Sequence, residues 1–312
     1  MNRADTSGFS LVELMISMVI AAIVSSILFP ALLSFQANSL AEMDRDELHK
    51  RAGRLLRYLA NDLRDTALFL GPAPHTASGS AVVLAHDSLP GDPVESLTTA
   101  LRPETSGAVE HDALTLVKAV SFAPPIYLAE DATAGASEVR LDRRPNQAPG
   151  SSREILPAPE AISHIVLANH KCCYPVAAAD QALPLKEPLG QAVPAGTELL
   201  GVRAHRYYLQ ADAGSNRLYR DNYTSRDILD ANIDGLQFEY LLRDGSLVDT
   251  PNPIADIRGI RVSLLVRSRR TKAEHFDNAT YPLGDHSYGP FNDHYRRVAV
   301  SQTVEVRNHG LP

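Results

Sequence analysis

The sequence predicts an α+β fold: one long amino-terminal α-helix, membrane-spanning in its first half, packed on a carboxy-terminal globular part rich in β-sheet. Three observations predict it. No charge interrupts the sequence from Leu14 to Phe35, a 22-residue stretch. An amphipathic stripe at helical spacing follows, and its last apolar position is Ala67. Beyond Leu70, short apolar runs alternate with polar, Pro-rich connections, the texture of strands and loops.

The first element begins with the apolar run. Its only polar side chains are Ser17, Ser25, Ser26 and Ser34. A helix of this length is about 33 Å long, against roughly 30 Å for a bilayer core. A cleaved signal peptide fits poorly. The run is long, Arg3 is offset by Asp5, and no clear small-x-small cleavage site follows. A plain anchor leaves Glu13 unexplained, because a carboxylate beside hydrocarbon is costly unless it is paired or functional. Past Phe35 the helical pattern continues through Leu40, Met43, Leu48, Ala52, Leu55, Leu56, Leu59, Leu63 and Ala67, with charges from Glu42 to Arg64 on the other faces. Gly71-Pro72 and Pro74 supply the stop. One helix over residues 9–70 is therefore expected, membrane-spanning over about 14–35, and a β-rich domain over 71–312.

Most of the 21 prolines lie between Pro72 and Pro194. Strands are expected near Ala81–Ala85, Ala113–Val120, Glu138–Leu141 and His164–Ala168, with surface loops at Ser88–Gly107 and Ala177–Pro194. The last third is more regular. Val202–Gln210 and Arg217–Arg220 predict a hairpin around Ala213-Gly214-Ser215-Asn216. Leu236–Arg243 alternates before an Asp244-Gly245 turn. Ile257–Arg267 and Arg297–Arg307 are strands rich in β-branched residues.

Composition narrows the function classes. The chain has 312 residues, 44% hydrophobic and 21% charged, which fits a globular fold rather than a disordered one. A net charge of −7 disfavours a general nucleic-acid binder. Two cysteines cannot form a disulfide framework. Cys172 and Cys173 are adjacent, so three states stay open: a vicinal ring, two free thiols, or bonds to a second chain. His170 two residues earlier does not give tetrahedral zinc spacing.

Three further groups of side chains invite chemistry. Asp230, Asn232, Asp234 and Gly235 match the first half of a calcium loop, but Leu241 stands where the bidentate Glu is needed. Asp285-His286 and Asp293-His294 could bind metal or exchange protons, or be polar loop residues. Arg267, Arg269, Arg270 and Lys272 could meet an acidic neighbour or DNA, or cap a solvated strand end. The sequence contains no P-loop, G-x-G-x-x-G, G-x-S-x-G or H-E-x-x-H. No catalytic residue, metal site or cofactor is predicted, and the chain is expected not to be an enzyme.

Gly8-Phe9-Ser10-Leu11-Val12-Glu13-Leu14 resembles the processing site of type IV pilins and type II secretion pseudopilins. The resemblance implies a leader over residues 1–8, cleavage between Gly8 and Phe9 by a prepilin peptidase, and N-methylation of Phe9. It implies that Glu13, fifth after the cut, sets helix register by pairing with a neighbour's terminal ammonium. A Glu that snorkels to the headgroups is the plainer alternative. Pro30 falls at the family's helix-bending proline. Toward the other end, Ile233–Tyr240, Ile257–Ser268, Arg296-Arg297 and Thr303–Asn308 resemble the closing strands of PilW-type minor pilins.

The implied function is a minor pilin, incorporated into a type IV pilus or priming its assembly. Its implied partners are the prepilin peptidase, other minor pilins, the major pilin and the inner-membrane assembly platform. It would be a single-pass bacterial inner-membrane protein with a periplasmic globular part, later carried into the fibre or tip complex. A J-type pseudopilin of a type II secretion system is the first alternative. A membrane-anchored periplasmic enzyme or adhesin is the second.

Overall fold

A computed structural model describes residues 11–67, 75–76, 82–84, 95–97, 101–104, 111–142, 164–167, 172–175, 182–212, 215–221 and 226–306. One helix, α1, spans Leu11–Arg64, and Pro30 lies inside it without interrupting it. The chain divides into two compact units, residues 1–50 and 51–312. The last turns of α1 thus belong to the globular unit, and the division does not fall at the expected helix end near Leu70.

The helix stops at Arg64 because its last turns tighten and turn away. Thr66 N–H donates to the Leu63 carbonyl at 3.3 Å, a three-residue closure. Ala67 has a positive φ of 61°, and its N–H donates to the Val117 carbonyl at 2.9 Å, leaving the helix for the sheet. The stop comes before Gly71 and is made by this cross-element bond.

The larger sheet has eight strands among the described residues. Glu198–Asp212 is its axis. One edge of this strand pairs antiparallel with Ala113–Tyr127. The other edge pairs with His164–Leu167 at one end and with Ser215–Asp221 at the other. Arg226–Asp230, Leu101–Glu104, Cys172–Pro175 and His75–Thr76 extend it outward. The predicted hairpin is present, but Ser215 and Asn216 belong to its second strand, because Asp212 faces Ser215 directly.

A second sheet orders Leu247–Val248, Ile233–Leu242, Ile257–Arg267 and Arg297–Glu305 antiparallel. The Asp244-Gly245 turn closes as expected. Gly245 sits at φ 85°, a region that favours glycine, and Leu242 N–H reaches the Ser246 carbonyl at 2.9 Å. Asp112 joins the sheets: its N–H donates to the Leu236 carbonyl at 3.1 Å, and its Oδ2 accepts from Phe238 N–H at 2.8 Å.

The predicted surface loops are only partly loops. Glu95–Leu97, Leu101–Glu104 and Ala182–Pro184 are strands within them. Leu101, Leu183, Leu189 and Val193 are buried. The last three join Phe122, Ile126, Leu128, Val139, Leu141, Ile165, Leu167 and Leu199 in a core cluster of their own. Single leucines separated by prolines have no periodicity to detect, yet each can fill one site in a core.

Candidate functional site

Two stretches of α1 carry the features that matter. From Leu11 to Gln36 the helix has a mean hydropathy of 2.4, and none of it is buried within the chain. Its length, about 39 Å at helical rise, suffices to cross a bilayer core. Leu11, Met18, Ile27, Phe29 and Phe35 are each at least 65% exposed, far more apolar surface than a soluble protein leaves bare. The serines inside are compatible with hydrocarbon. Ser17 Oγ donates to the Leu14 carbonyl at 2.8 Å and Ser26 Oγ to the Ile23 carbonyl at 2.7 Å.

Glu13 is the one charged residue of this stretch and lies in the first turn of α1, where the helix dipole favours a negative charge. Its side chain is exposed. Gly8 and Phe9 lie outside the described residues. Met43, assigned to the stripe by spacing, is 65% exposed.

From Arg51 onward the same helix is a packed element. Ala52, Leu55, Leu56, Leu59, Ala60 and Leu63 are buried. Two charges sit on this stripe at helical spacing, Arg51 four residues before Leu55 and Asp62 three after Leu59. Arg51 Nε donates to Asp230 Oδ2 at 2.5 Å, and its Nη2 also contacts Asp230 Oδ1, a two-pronged grip. Its remaining donors reach the Arg267 and Asn232 carbonyls.

Asp62 fastens the helix to the larger sheet. Its Oδ1 accepts from Lys118 Nζ at 2.9 Å, and its Oδ2 lies 2.8 Å from His205 Nδ1 and accepts from the Tyr207 hydroxyl. Burial pushes the Asp62 carboxyl up, but hydrogen bonds from His205, Tyr207 and Lys118 outweigh it and hold it well below the usual carboxylate range. Every polar atom of this carboxylate is thus committed to anchoring. Arg220 stacks over Tyr58, 5.3 Å from the ring centroid.

The acidic groups singled out for chemistry turn out to hold arginines. In the calcium-like segment, Asp230 takes Arg51, while Asp234 takes Arg297 Nε at 2.7 Å and has Arg267 at 3.7 Å. Guanidinium groups occupy the positions a cation would need. Among the described residues no group of three or more His, Cys, Asp and Glu side chains could hold a metal ion.

The two Asp-His pairs do not meet. Asp285 and His286 bond each other at 2.7 Å. Asp293 instead joins Asp234 and Asp277 around the buried Arg297, whose guanidinium also lies 3.6 Å from the Phe291 ring centroid. His294 Nδ1 lies 2.6 Å from the His275 carbonyl. This cluster ties the excursion over residues 268–296 to the sheet. The basic group also divides: Arg267 stacks on Tyr295 at 4.3 Å, while Arg269 and Arg270 are exposed.

Cys172 and Cys173 lie in a strand, opposite His75 and Val166 respectively. The state of their thiols lies outside the described side chains. Arg51, Asp62, Asp112 and Arg297 were not foreseen. The signal for the first two was present, as charges at stripe positions of an amphipathic helix.

Comparison with known proteins bears on both ends of the chain. Residues 3–29 match the model of the prokaryotic N-terminal methylation motif, and residues 206–308 match that of Type IV Pilus-assembly protein W. At both ends the chain is similar to type IV pilins of the PilW type. The first match contains Glu13 and the exposed apolar helix. The second begins within the axial strand of the larger sheet and covers the whole second sheet, the region where the closing strands resemble those of PilW-type minor pilins. Among solved structures, a type IV-like pilin from Thermus thermophilus aligns over 85% of this chain and 100% of its own, at 11% identity and a TM-score of 0.37. No curated protein matches.

Proposed function

We propose that this chain is a minor pilin that is cut between Gly8 and Phe9 by a prepilin peptidase, methylated on Phe9 and inserted into a type IV pilus or its initiating complex. The observation that carries the proposal is the exposed apolar helix Leu11–Gln36 with a single carboxylate at its start. Such a surface needs lipid or other helices around it. The helix anchors the chain in the inner membrane before assembly, with the globular unit in the periplasm. In the fibre, neighbouring apolar helices replace lipid, and Glu13 pairs with a neighbour's terminal ammonium. That pairing offsets desolvation and sets axial register. Other minor pilins, the major pilin and the membrane assembly platform are the partners this requires. The role is structural: the buried polar groups described above are engaged in holding elements together.

Mass spectrometry of the mature amino terminus tests processing: a methylated Phe9 is expected, and Gly8→Val should leave the leader attached. Normal maturation of Gly8→Val would refute the cleavage assignment. Glu13→Ala should be processed normally yet be scarce in sheared fibres and in complexes with other minor pilins. Glu13→Asp should be intermediate. Equal incorporation of the Ala variant would favour the snorkelling account.

A further inference from the structure

Among the described residues four carboxylates are buried: Asp112, Asp221, Asp234 and Asp277. Three of them face guanidinium groups. Asp221 lies 3.7 Å from Arg226, Asp234 lies 2.7 Å from Arg297, and Asp277 lies 2.8 Å from the same Arg297. Asp112 is 3% exposed, and among the described residues its carboxyl meets one donor, the Phe238 N–H.

The groups facing this carboxyl are mostly acidic. Asp249 follows the short strand Leu247–Val248, and Asp285 and His286 stand at the turn between Tyr281–Leu283 and His286–Tyr288. The two aspartates disfavour ionisation of Asp112, and His286, which favours it, is committed to Asp285 at 2.7 Å. Arg261, which acts on Asp249, is held by Glu239 at 2.7 Å. On Ile233–Leu242 the Tyr240 hydroxyl is buried and makes no hydrogen bond among the described residues. Beside Asp112, the His111 ring stacks on Tyr288 with centroids 5.6 Å apart, and its Nε2 lies 3.1 Å from Asn216 Nδ2. Burial pushes the Asp112 carboxyl up to about 7 against the pull of the Phe238 N–H, and Asp285 and Asp249 push the same way.

Its position makes this charge matter to the junction of the sheets. Asp112 immediately precedes Ala113–Tyr127 of the larger sheet, and both of its bonds to the second sheet go to Leu236 and Phe238 on Ile233–Leu242. That strand is paired along its other edge with Ile257–Arg267. The junction can therefore part while the second sheet stays whole.

We propose that Asp112 is a proton-operated latch between the two sheets, closed while its carboxyl is neutral and released when it ionises. The neutral carboxyl accepts from the Phe238 N–H and costs little to bury. The ionised one is a buried anion facing Asp249 and Asp285 without a cation, and parting the junction lets water reach it. Because the closed state raises this carboxyl, low pH keeps the latch shut, and closure is lost as the pH rises toward the closed-state value. The latch lies within the globular unit and stands apart from the pilin reading.

Amide hydrogen exchange of the full-length chain in detergent, resolved to single residues by fragmentation mass spectrometry, tests it. After correction for the chemical rate of the free peptide, exchange of the Phe238 amide should rise about ten-fold per pH unit between about pH 5 and pH 7 and then level off. Amides along Ile257–Arg267 should stay protected over the times at which Phe238 exchanges. Asp112→Asn keeps an acceptor for Phe238 on a neutral side chain and should flatten the rise. Asp285→Asn, at an exposed position, removes a facing charge and should move the levelling to lower pH. A corrected Phe238 exchange that is flat in the parent, a rise that persists in Asp112→Asn, a levelling unmoved by Asp285→Asn, or joint loss of protection along Ile257–Arg267 would overturn the proposal.

Discussion

Leu11–Gln36 and Arg51–Arg64 are stretches of one continuous helix that meet opposite surroundings. In the first, apolar side chains face outward on every side, the Ser17 and Ser26 hydroxyls bond back to the helix, and Glu13 is the lone charge. In the second, apolar side chains occupy a stripe, and the charges on that stripe are paired across to the sheets. An all-round apolar helix needs a medium or partners on all sides, whereas a striped one needs a single packed face. The first stretch therefore suits a membrane or a bundle of helices, and the second suits a packed domain. Substitutions of the same kind should separate them.

Arg51→Ala should have the largest effect. It strips Asp230 of its guanidinium and leaves a mostly buried carboxylate unpaired, at a cost of about 3–5 kcal/mol. Thermal unfolding of the full chain in detergent, followed by near-ultraviolet circular dichroism, should shift down by ten degrees or so. Arg45→Ala, at an exposed position on the same helix, should leave the transition in place.

Leu59→Ala should come next, removing a 1% exposed side chain at a cost of about 2–5 kcal/mol. Leu32→Ala removes the same atoms from a 51% exposed position and should leave the unfolding transition unmoved. A matching loss from Leu32→Ala would dissolve the distinction between the two stretches.

A pH titration of stability sharpens the contrast within the globular unit. Asp62 is held low and Asp112 is pushed up to about 7, chiefly by burial, with the Phe238 N–H as its counterweight. For Asp62, native stability is present above the ordinary carboxylate range and is lost as the pH falls below it. For Asp112 the sign reverses. Between about pH 4 and pH 7 the folded state holds a proton that the unfolded chain has released, so stability falls as pH rises across that window. The slope is at most about 1.4 kcal/mol per pH unit. Asp112→Asn keeps an acceptor for Phe238 and should flatten that slope. An unchanged profile would mean that this carboxyl does not titrate there.

The smallest effect is expected from Cys172→Ser with Cys173→Ser. The fold rests on the helix stripe and the sheets, so melting should fall by only a few degrees, about 1 kcal/mol. Loss of the folded unit would show that these cysteines tie down something larger.

Periodicity was legible wherever the physics is local. Ile257–Arg267 was bounded to the residue, and Ile233–Leu242 and Arg297–Glu305 to within a few, because alternation and turn chemistry belong to each strand alone. Ser88–Gly107 and Ala177–Pro194 read as loops in the sequence because their buried leucines are isolated there. The calcium-like Asp230 and Asp234 illustrate the same limit at the level of sites. Carboxylates at ligand spacing say nothing about which cation faces them, and here it is Arg51 and Arg297.

The sequence alone determined the membrane-length helix, the stripe that follows it, the Gly8–Glu13 motif and the strands of the second sheet. Each depends on neighbours within a few residues, so covalent order is enough to reveal it. The tertiary structure decided what each charge holds. Asp62 meets Lys118, His205 and Tyr207, and Arg297 gathers Asp234, Asp277 and Asp293, across separations that no spacing rule spans. A buried charge needs a counter-charge within a few ångström, and only the folded chain sets which residue comes that close.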